Sequence, residues 1–575
     1  LIDYLWFALL VGIFLAGTLS AGMFRSEAAG ITDYGGWPGP RELGLFLMVA
    51  ILFAAPALIL PVPMDTDAQG FGYLALALKN SGSLTTLAPF HPEITYLYSP
   101  GLPALVAYLG HQLHAELQNI ELAMGAVLSF LFVWLAYDFG SQQPRPDQRA
   151  YGKDDAQAAL FGTGLLAADL DSHYSALLGL VFAMAFLIFA IRFHRDGRRT
   201  DFLAAAITLA GVPLAQPDLT IILALGYIPW LASMWLARPR PTFRRWLGLA
   251  VGIPALALVG VLPWLLRIAP LLSGDMQSPF AISLDHLLVM VAYHGGVIVI
   301  LSAIGIVVAV RRRNPVDLLM VPWLALIVDF SSLGILKALF PGLLAPLLRY
   351  DYPFSIAWHG PIIPYIYLGG TGLAWLIDRI GRERFEQRIK AISLPLMNII
   401  ALCALLIMAF PDTFVSASKA LPIQLYGTFS SKADVQAMEW LAQNTASDAL
   451  ILNYPAEEEG HWAPVVSQRN TVYFRPQPFF RGTAQSDAIQ HALEAFWQNP
   501  ADSANPDLLA RYHVAYVLVP QIITRPDSMR DMFRWRLPLP DIWTYKPIKD
   551  VPYLKLVFDA EGAQVYQVLP RQLTF

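Results

Sequence analysis

Cysteine and charge are what this chain has least of. Its 575 residues include one cysteine, Cys403, so no internal disulfide can form. Charged residues make up 14% and hydrophobic ones 56%, whereas roughly a quarter of a soluble domain is charged. The net charge of −4 carries no basic footprint for nucleic acid. Charge is missing altogether from Leu45–Val62, Ala176–Ile191 and Trp246–Leu266, runs of the length and composition that a bilayer-spanning helix needs. No nucleotide-phosphate loop, Ser-His-Asp order or haem motif is present, nor any solenoid repeat or low-complexity tract. A soluble fold is excluded.

What is there reads as an α-helical polytopic membrane protein with about twelve spans. They fall near 4–23, 44–63, 119–139, 156–170, 172–193, 201–216, 218–237, 246–266, 285–310, 318–335, 358–378 and 391–410. The opening run Tyr4–Met23 is too long for a signal peptide and is read as a span, which places the N-terminus outside. Basic residues set the orientation. Loops assigned to the inside hold 21 Lys or Arg, among them Arg145, Arg195, Arg245, Arg312 and Arg384, while the alternate loops hold four: Lys79, Arg267, Lys337 and Arg349. Under the positive-inside rule, loops 64–118, 267–284 and 336–357 and everything after about 411 face the non-cytoplasmic side of the plasma membrane.

The pattern changes at Pro411-Asp412, dividing a membrane region over 1–410 from a globular α/β domain over 411–575. Ala433–Gln443 has helical amphipathicity; Ala449–Leu452 and Ala515–Val519 read as buried strands; Leu554–Phe558 and Ala563–Val568 predict a hairpin about Glu561-Gly562. About 160 residues suffice for a domain with its own core.

The first outer loop is the richest in chemistry. It opens Pro61-Val62-Pro63-Met64-Asp65-Thr66-Asp67, runs through Ala68–Asn80 to Gly82, and continues to Tyr98-Ser99-Pro100-Gly101. Two carboxylates two residues apart at the lipid–water boundary suit a shared divalent cation, or a division into base and metal ligand. Equally, Asp67 suits a cap on a helix starting at Ala68 and ended by Gly82. Asp169, Asp171 and His173 meet at an outer hairpin, and Asp218 follows Gln216-Pro217 at the next; acids at this depth are costly and face a cavity or a partner, or else sit in a solvated hairpin turn. Arg267, Lys337 and Arg349 suit a phosphate at headgroup level, or simple snorkelling to lipid; His359 lies just beyond. His286 and His294 are candidates for the same cavity, and His111 with His114 has helical spacing but no third ligand for zinc.

From Asp65 to Gly101 the sequence resembles the multispanning GT-C glycosyltransferases, such as protein O-mannosyltransferases and the bacterial aminoarabinose transferases of lipid A. The shared features are an Asp motif directly after an early span, a Tyr-bearing helix closing in Gly, and a Pro-containing approach to the next helix. The likeness continues through the acidic hairpin of Asp169–Arg192, and in the tail through Asp434–Asn444, Leu452-Asn453-Tyr454, Gly460-His461-Trp462 and Arg469. Two departures stand out: no second acid adjoins either Asp, and a span precedes the one that normally opens the fold.

The resemblance implies an enzyme that transfers a hexose or pentose from a polyprenyl-phosphate carrier to an acceptor protein or glycolipid on the outer face. It assigns Asp65 and Asp67 as catalytic base or as ligands to Mg2+ or Mn2+. Arg267, Lys337 and Arg349 would hold the lipid phosphate, with Asp169, Asp171, His173, Asp218 and His359 supporting the cavity. Two other classes fit the composition. A non-catalytic scaffold or accessory subunit of an envelope complex would co-purify with partners and hold no lipid phosphate. A transporter would need acids buried in mid-span, for which Asp329 is the main candidate.

Overall fold

The computed structural model describes residues 40–64, 66–96, 98–141, 155, 158–159, 162–235, 240–271, 281–312, 314–341, 353–380, 430–455, 462–474, 480–481, 484–525, 548 and 551–570. The expected spans 4–23 and 391–410, with Asp65, Arg349 and Cys403, lie outside these.

The fold is mostly helical. Helix α1 (Pro40–Ile59) stops short of the Pro61 and Pro63 that cannot continue it. Helix α2 (Thr66–Ser81) is ended by Gly82 at φ +70°. It begins before Ala68, so Asp67 sits inside its first turn, where the helix dipole favours a carboxylate. Strands β1 (Thr86–Leu87) and β2 (His91–Tyr96) and helix α3 (Gly101–Leu113) complete the first loop. Then come α4 (Leu117–Ser141), α5 (Gly164–Leu170), α6 (Tyr174–Asp196), α7 (Arg199–Ala215), α8 (Pro217–Ser233) and α9 (Phe243–Ile268), whose course includes a π-helical turn over Gly248–Gly252.

The expected span 285–310 is not one straight helix. It is two, α10 (His286–Ala292) and α11 (Gly296–Arg312), meeting at 101° where Gly295 takes φ +84°. Helix α12 (Asp317–Val328) passes into a π-helical turn at Asp329–Leu333, and the short α13 (Ile335–Leu339) follows Gly334. Helices α14 (Pro353–His359) and α15 (Ile362–Ile380) together form the last described span, Pro353–Arg379. Four described helices are long and apolar enough to cross a membrane, and a fifth if the bent pair is one span. Side chains such as Leu247, Val251, Val259 and Leu266 on α9, and Leu47 and Ile51 on α1, project outward, as lipid contact requires and water would penalise.

The two ends of this bundle differ in chemistry. At one, Arg192 of α6 meets Asp138 of α4 at 2.9 Å, and the Arg245 guanidinium donates to the carbonyls of His194 and Arg195, closing the C-terminus of α6. Asp67 and His173 lie at the other end of α6, whose 23 residues span roughly 34 Å.

The C-terminal region contains α16 (Lys432–Asn444), β3 (Leu450–Leu452), α17 (Ala463–Ser467), β4 (Asn470–Thr471), β5 (Phe480–Arg481), α18 (Ala484–Gln498), α19 (Asn505–Arg511), β6 (Val514–Val519), α20 (Gln521–Thr524), β7 (Leu554–Ala560) and β8 (Ala563–Val568). A five-stranded sheet has the order β4-β3-β6-β8-β7, with β4, β3 and β6 parallel and β8 and β7 antiparallel. The capping box of Ser431 and Asp434 starts α16. The β7–β8 hairpin turns at Glu561 and Gly562, both at positive φ, the conformation that a tight hairpin with this twist demands. Strand β5 pairs with β2, Thr95 opposite Arg481, so the C-terminal region is hydrogen-bonded into the first loop. Nearby, Val465 and Trp462 pack on Gly72 of α2, and Phe474 packs on His91 and Tyr73.

Candidate active site at the first loop

Asp67 points from the first turn of α2 toward the hairpin between α5 and α6. Its Oδ2 lies 3.7 Å from His173 Nε2, and its side chain keeps about a third of its surface exposed. His173 reaches it because α5 ends abruptly: the Asp171 and His173 amides donate to the carbonyls of Ala167 and Ala168, and Ser172 takes a left-handed φ of 57°. Behind His173, its Nδ1 lies 3.0 Å from His359 Nε2, and His359 Nδ1 lies 3.0 Å from Ser355 Oγ. Trp358 covers this row, its ring 4.5 Å from that of His173 and 4.0 Å from that of Tyr293.

A second polar row runs beside the first. The hydroxyls of Tyr98 and Ser175 both donate to Gln216 Oε1, and the Gln216 amide donates to Asp218 Oδ2 at 3.4 Å. Burial above all, helped by the nearby negative charges of Asp67 and Asp218, holds the Tyr98 phenol well above its usual range against the lowering effect of its hydrogen bonds. Tyr98 is therefore a neutral donor at physiological pH. Two partly exposed carboxylates, Asp67 and Asp218, thus act on one buried phenol.

The other expected residues are placed differently. Asp169 and Asp171 are buried rather than solvated, at 4% and 0% exposure. Asp169 packs against Gly125 of α4, and its Oδ2 has no hydrogen-bond partner among the described residues. Asp329 is 8% exposed and accepts from the amides of Ile335 and Leu336, at the start of α13. Arg267 and Lys337 are exposed, at the end of α9 and on α13. His286 Nδ1 lies 2.8 Å from the Ser331 carbonyl oxygen. His294 packs on Gly164 and Tyr365, close to the Tyr293–Trp358 stack. His111 and His114 are exposed at the end of α3.

Asp65, the other half of the expected Mg2+ or Mn2+ pair, lies outside the described residues, and among those described no group of three His, Cys, Asp or Glu could hold a metal ion.

Sequence reasoning missed Tyr98, Ser175, Gln216, Ser355 and Trp358 as site residues, because single polar or aromatic residues at helix ends carry no spacing signal. It also missed Glu121, which is fully buried with neither carboxylate oxygen bonded among the described residues. Here a signal existed: Glu121 is the only acid inside the apolar stretch 119–137.

Known proteins share the fold. ArnT from Cupriavidus metallidurans in the apo state superposes with a TM-score of 0.56 at 14% identity, over 91% of this chain and 97% of that one. ArnT bound to undecaprenyl phosphate gives 0.55 at 12% identity, over 87% and 97%. The arabinofuranosyltransferase AftD from Mycobacteria gives 0.51 at 15% identity; 93% of this chain is covered but only 40% of AftD. A sequence search among curated proteins finds no match. The fold is GT-C-like, as the first loop suggested. A family of unknown function, DUF6541, matches residues 155–569, and the chain belongs to it.

Proposed function

We propose that this protein is a membrane glycosyltransferase that moves a sugar from a polyprenyl-phosphate carrier to a hydroxyl or amine acceptor on the non-cytoplasmic face. The observation that carries the reading is Asp67: a partly exposed carboxylate, fixed at a helix start beside His173, on a GT-C-like fold. Such a carboxylate can take the acceptor's proton as the acceptor attacks the anomeric carbon. Asp218, oriented by the Gln216 amide, offers a hydrogen-bond acceptor to sugar hydroxyls, and Tyr98, kept neutral, fixes Gln216 by donating to its Oε1. The departing phosphate needs positive charge, and exposed Arg267 and Lys337 are the described candidates, with Arg349 the third. That ArnT has been solved with undecaprenyl phosphate supports this choice of carrier. The domain division at residue 410 belongs to the same reading: the C-terminal region, joined to the first loop through β2 and β5, would cover the cavity and meet the acceptor.

The test is a panel of undecaprenyl-phosphate-linked pentoses and hexoses offered to the purified protein in nanodiscs. The proposal expects at least one donor to be consumed with release of undecaprenyl phosphate. If none is consumed, and the protein instead co-purifies in fixed ratio with envelope proteins, it is a scaffold.

A further inference from the structure

Beyond the base itself, the row behind Asp67 has a direction. We infer that His173 is a positioning residue for Asp67, held in a single tautomer by His359 and Ser355.

The protons along the row can be counted. At 3.0 Å, His173 Nδ1 and His359 Nε2 share one proton, so one nitrogen donates and the other accepts. His173 Nε2 faces the Asp67 carboxylate at 3.7 Å, and a bare lone pair there would oppose negative charge; that nitrogen therefore carries its hydrogen. In neutral His173 the remaining Nδ1 must then accept, so the shared proton belongs to His359 Nε2. His359 Nδ1 is left as an acceptor, and Ser355 Oγ at 3.0 Å is the donor it needs. The row reads Ser355 O–H to His359 and His359 Nε2–H to His173 as hydrogen bonds, with His173 Nε2–H directed at Asp67 across 3.7 Å. The reverse direction leaves lone pair against carboxylate. His359 and Ser355 are 5% and 8% exposed, and Trp358 lies over His173, so water has little access to scramble the order. With the imidazole fixed, its Nε2–H stays directed at the Asp67 carboxylate. The hydrogen-bond direction stands by itself; only its kinetic consequence rests on the reading of Asp67 as base.

The experiment is solid-state NMR of the full chain in lipid with 15N-labelled histidine, alongside turnover of undecaprenyl-phosphate-linked sugar. The wild type is expected to show a 15N–15N coupling across the His359–His173 hydrogen bond, with the proton on His359 Nε2. His359→Leu should lose the coupling and cut kcat on the order of 10–100-fold at unchanged KM. His359→Gln, whose amide can still donate to His173 Nδ1, should recover most of that kcat. A proton found on His173 Nδ1, or no coupling in the wild type, overturns the inference. Equal losses in the Leu and Gln variants would reduce His359 to packing and overturn it too. Full turnover in Asp67→Asn with the coupling intact would remove the base reading and the positioning role together, leaving only the direction of the bond.

Discussion

At the scale of single residues, burial decides what each polar group can do. Asp67 and Asp218 stay partly open while the groups behind them are enclosed, so the carboxylates are presented and their supports are fixed. Tyr98 shows the consequence most simply. Removing its hydroxyl leaves Gln216 Oε1 with the Ser175 hydroxyl as donor and takes one hydrogen bond from the amide that orients Asp218. Tyr98→Phe should therefore fold normally and lower transfer by roughly tenfold, about the net worth of one hydrogen bond at the site. Kinetics beside a thermal melt check this, and unchanged turnover would remove Tyr98 from the site. Little of that was legible in the sequence. Asp67 stood out because acids at a span boundary are few, whereas Ser175 and Gln216 gain meaning only when α6 and α7 bring them to Tyr98.

At the scale of elements, small residues set how closely the helices approach. Gly305 of α11 faces the backbone of α15, where a β-carbon would overlap the carbonyl oxygen of Leu368, and Gly372 faces the Leu301 carbonyl from the other side in the same way. In lipid, where apolar burial gives helices little reason to associate, this close backbone contact is a main source of attraction. Gly305→Val should cost at least about 2 kcal/mol through overpacking, seen as a lower melting temperature in detergent, while Gly44→Val, at a glycine with open space around it, should cost far less. Equal melting temperatures would contradict this account of the α11–α15 contact. Hydropathy located these helices because it reports apolar length. It could not report the 101° bend between α10 and α11, since a Gly295-Gly296 pair inside an apolar run leaves hydropathy almost unchanged. In the C-terminal region the β7–β8 hairpin was legible, because the turn chemistry of Glu561-Gly562 is local; its pairing beside β6 is not local, and no pattern in the sequence announces it.

At the scale of the whole molecule, the chemistry is polarised. Arg192, Arg195 and Arg245 gather at one end of α6, and Asp67, His173 and the contacts of the C-terminal region gather toward the other. Under the positive-inside rule that polarity predicts an orientation. In a Cys403→Ser background, Asn444→Cys should react with a membrane-impermeant maleimide on intact cells, and Arg199→Cys only after permeabilisation; both residues are exposed. The reverse pattern would invert the topology and put the site on the cytoplasmic face.

The central claim, that Asp67 is the base of a lipid-linked sugar transfer, meets its most direct test in one comparison. Wild type and Asp67→Asn are purified side by side, matched for melting temperature, and assayed for turnover of an undecaprenyl-phosphate-linked sugar that the wild type consumes. The Asn variant is expected to lose about 10²–10⁴-fold in kcat, the usual contribution of a positioned general base. An Asp67→Asn enzyme that turns over at the wild-type rate would contradict it.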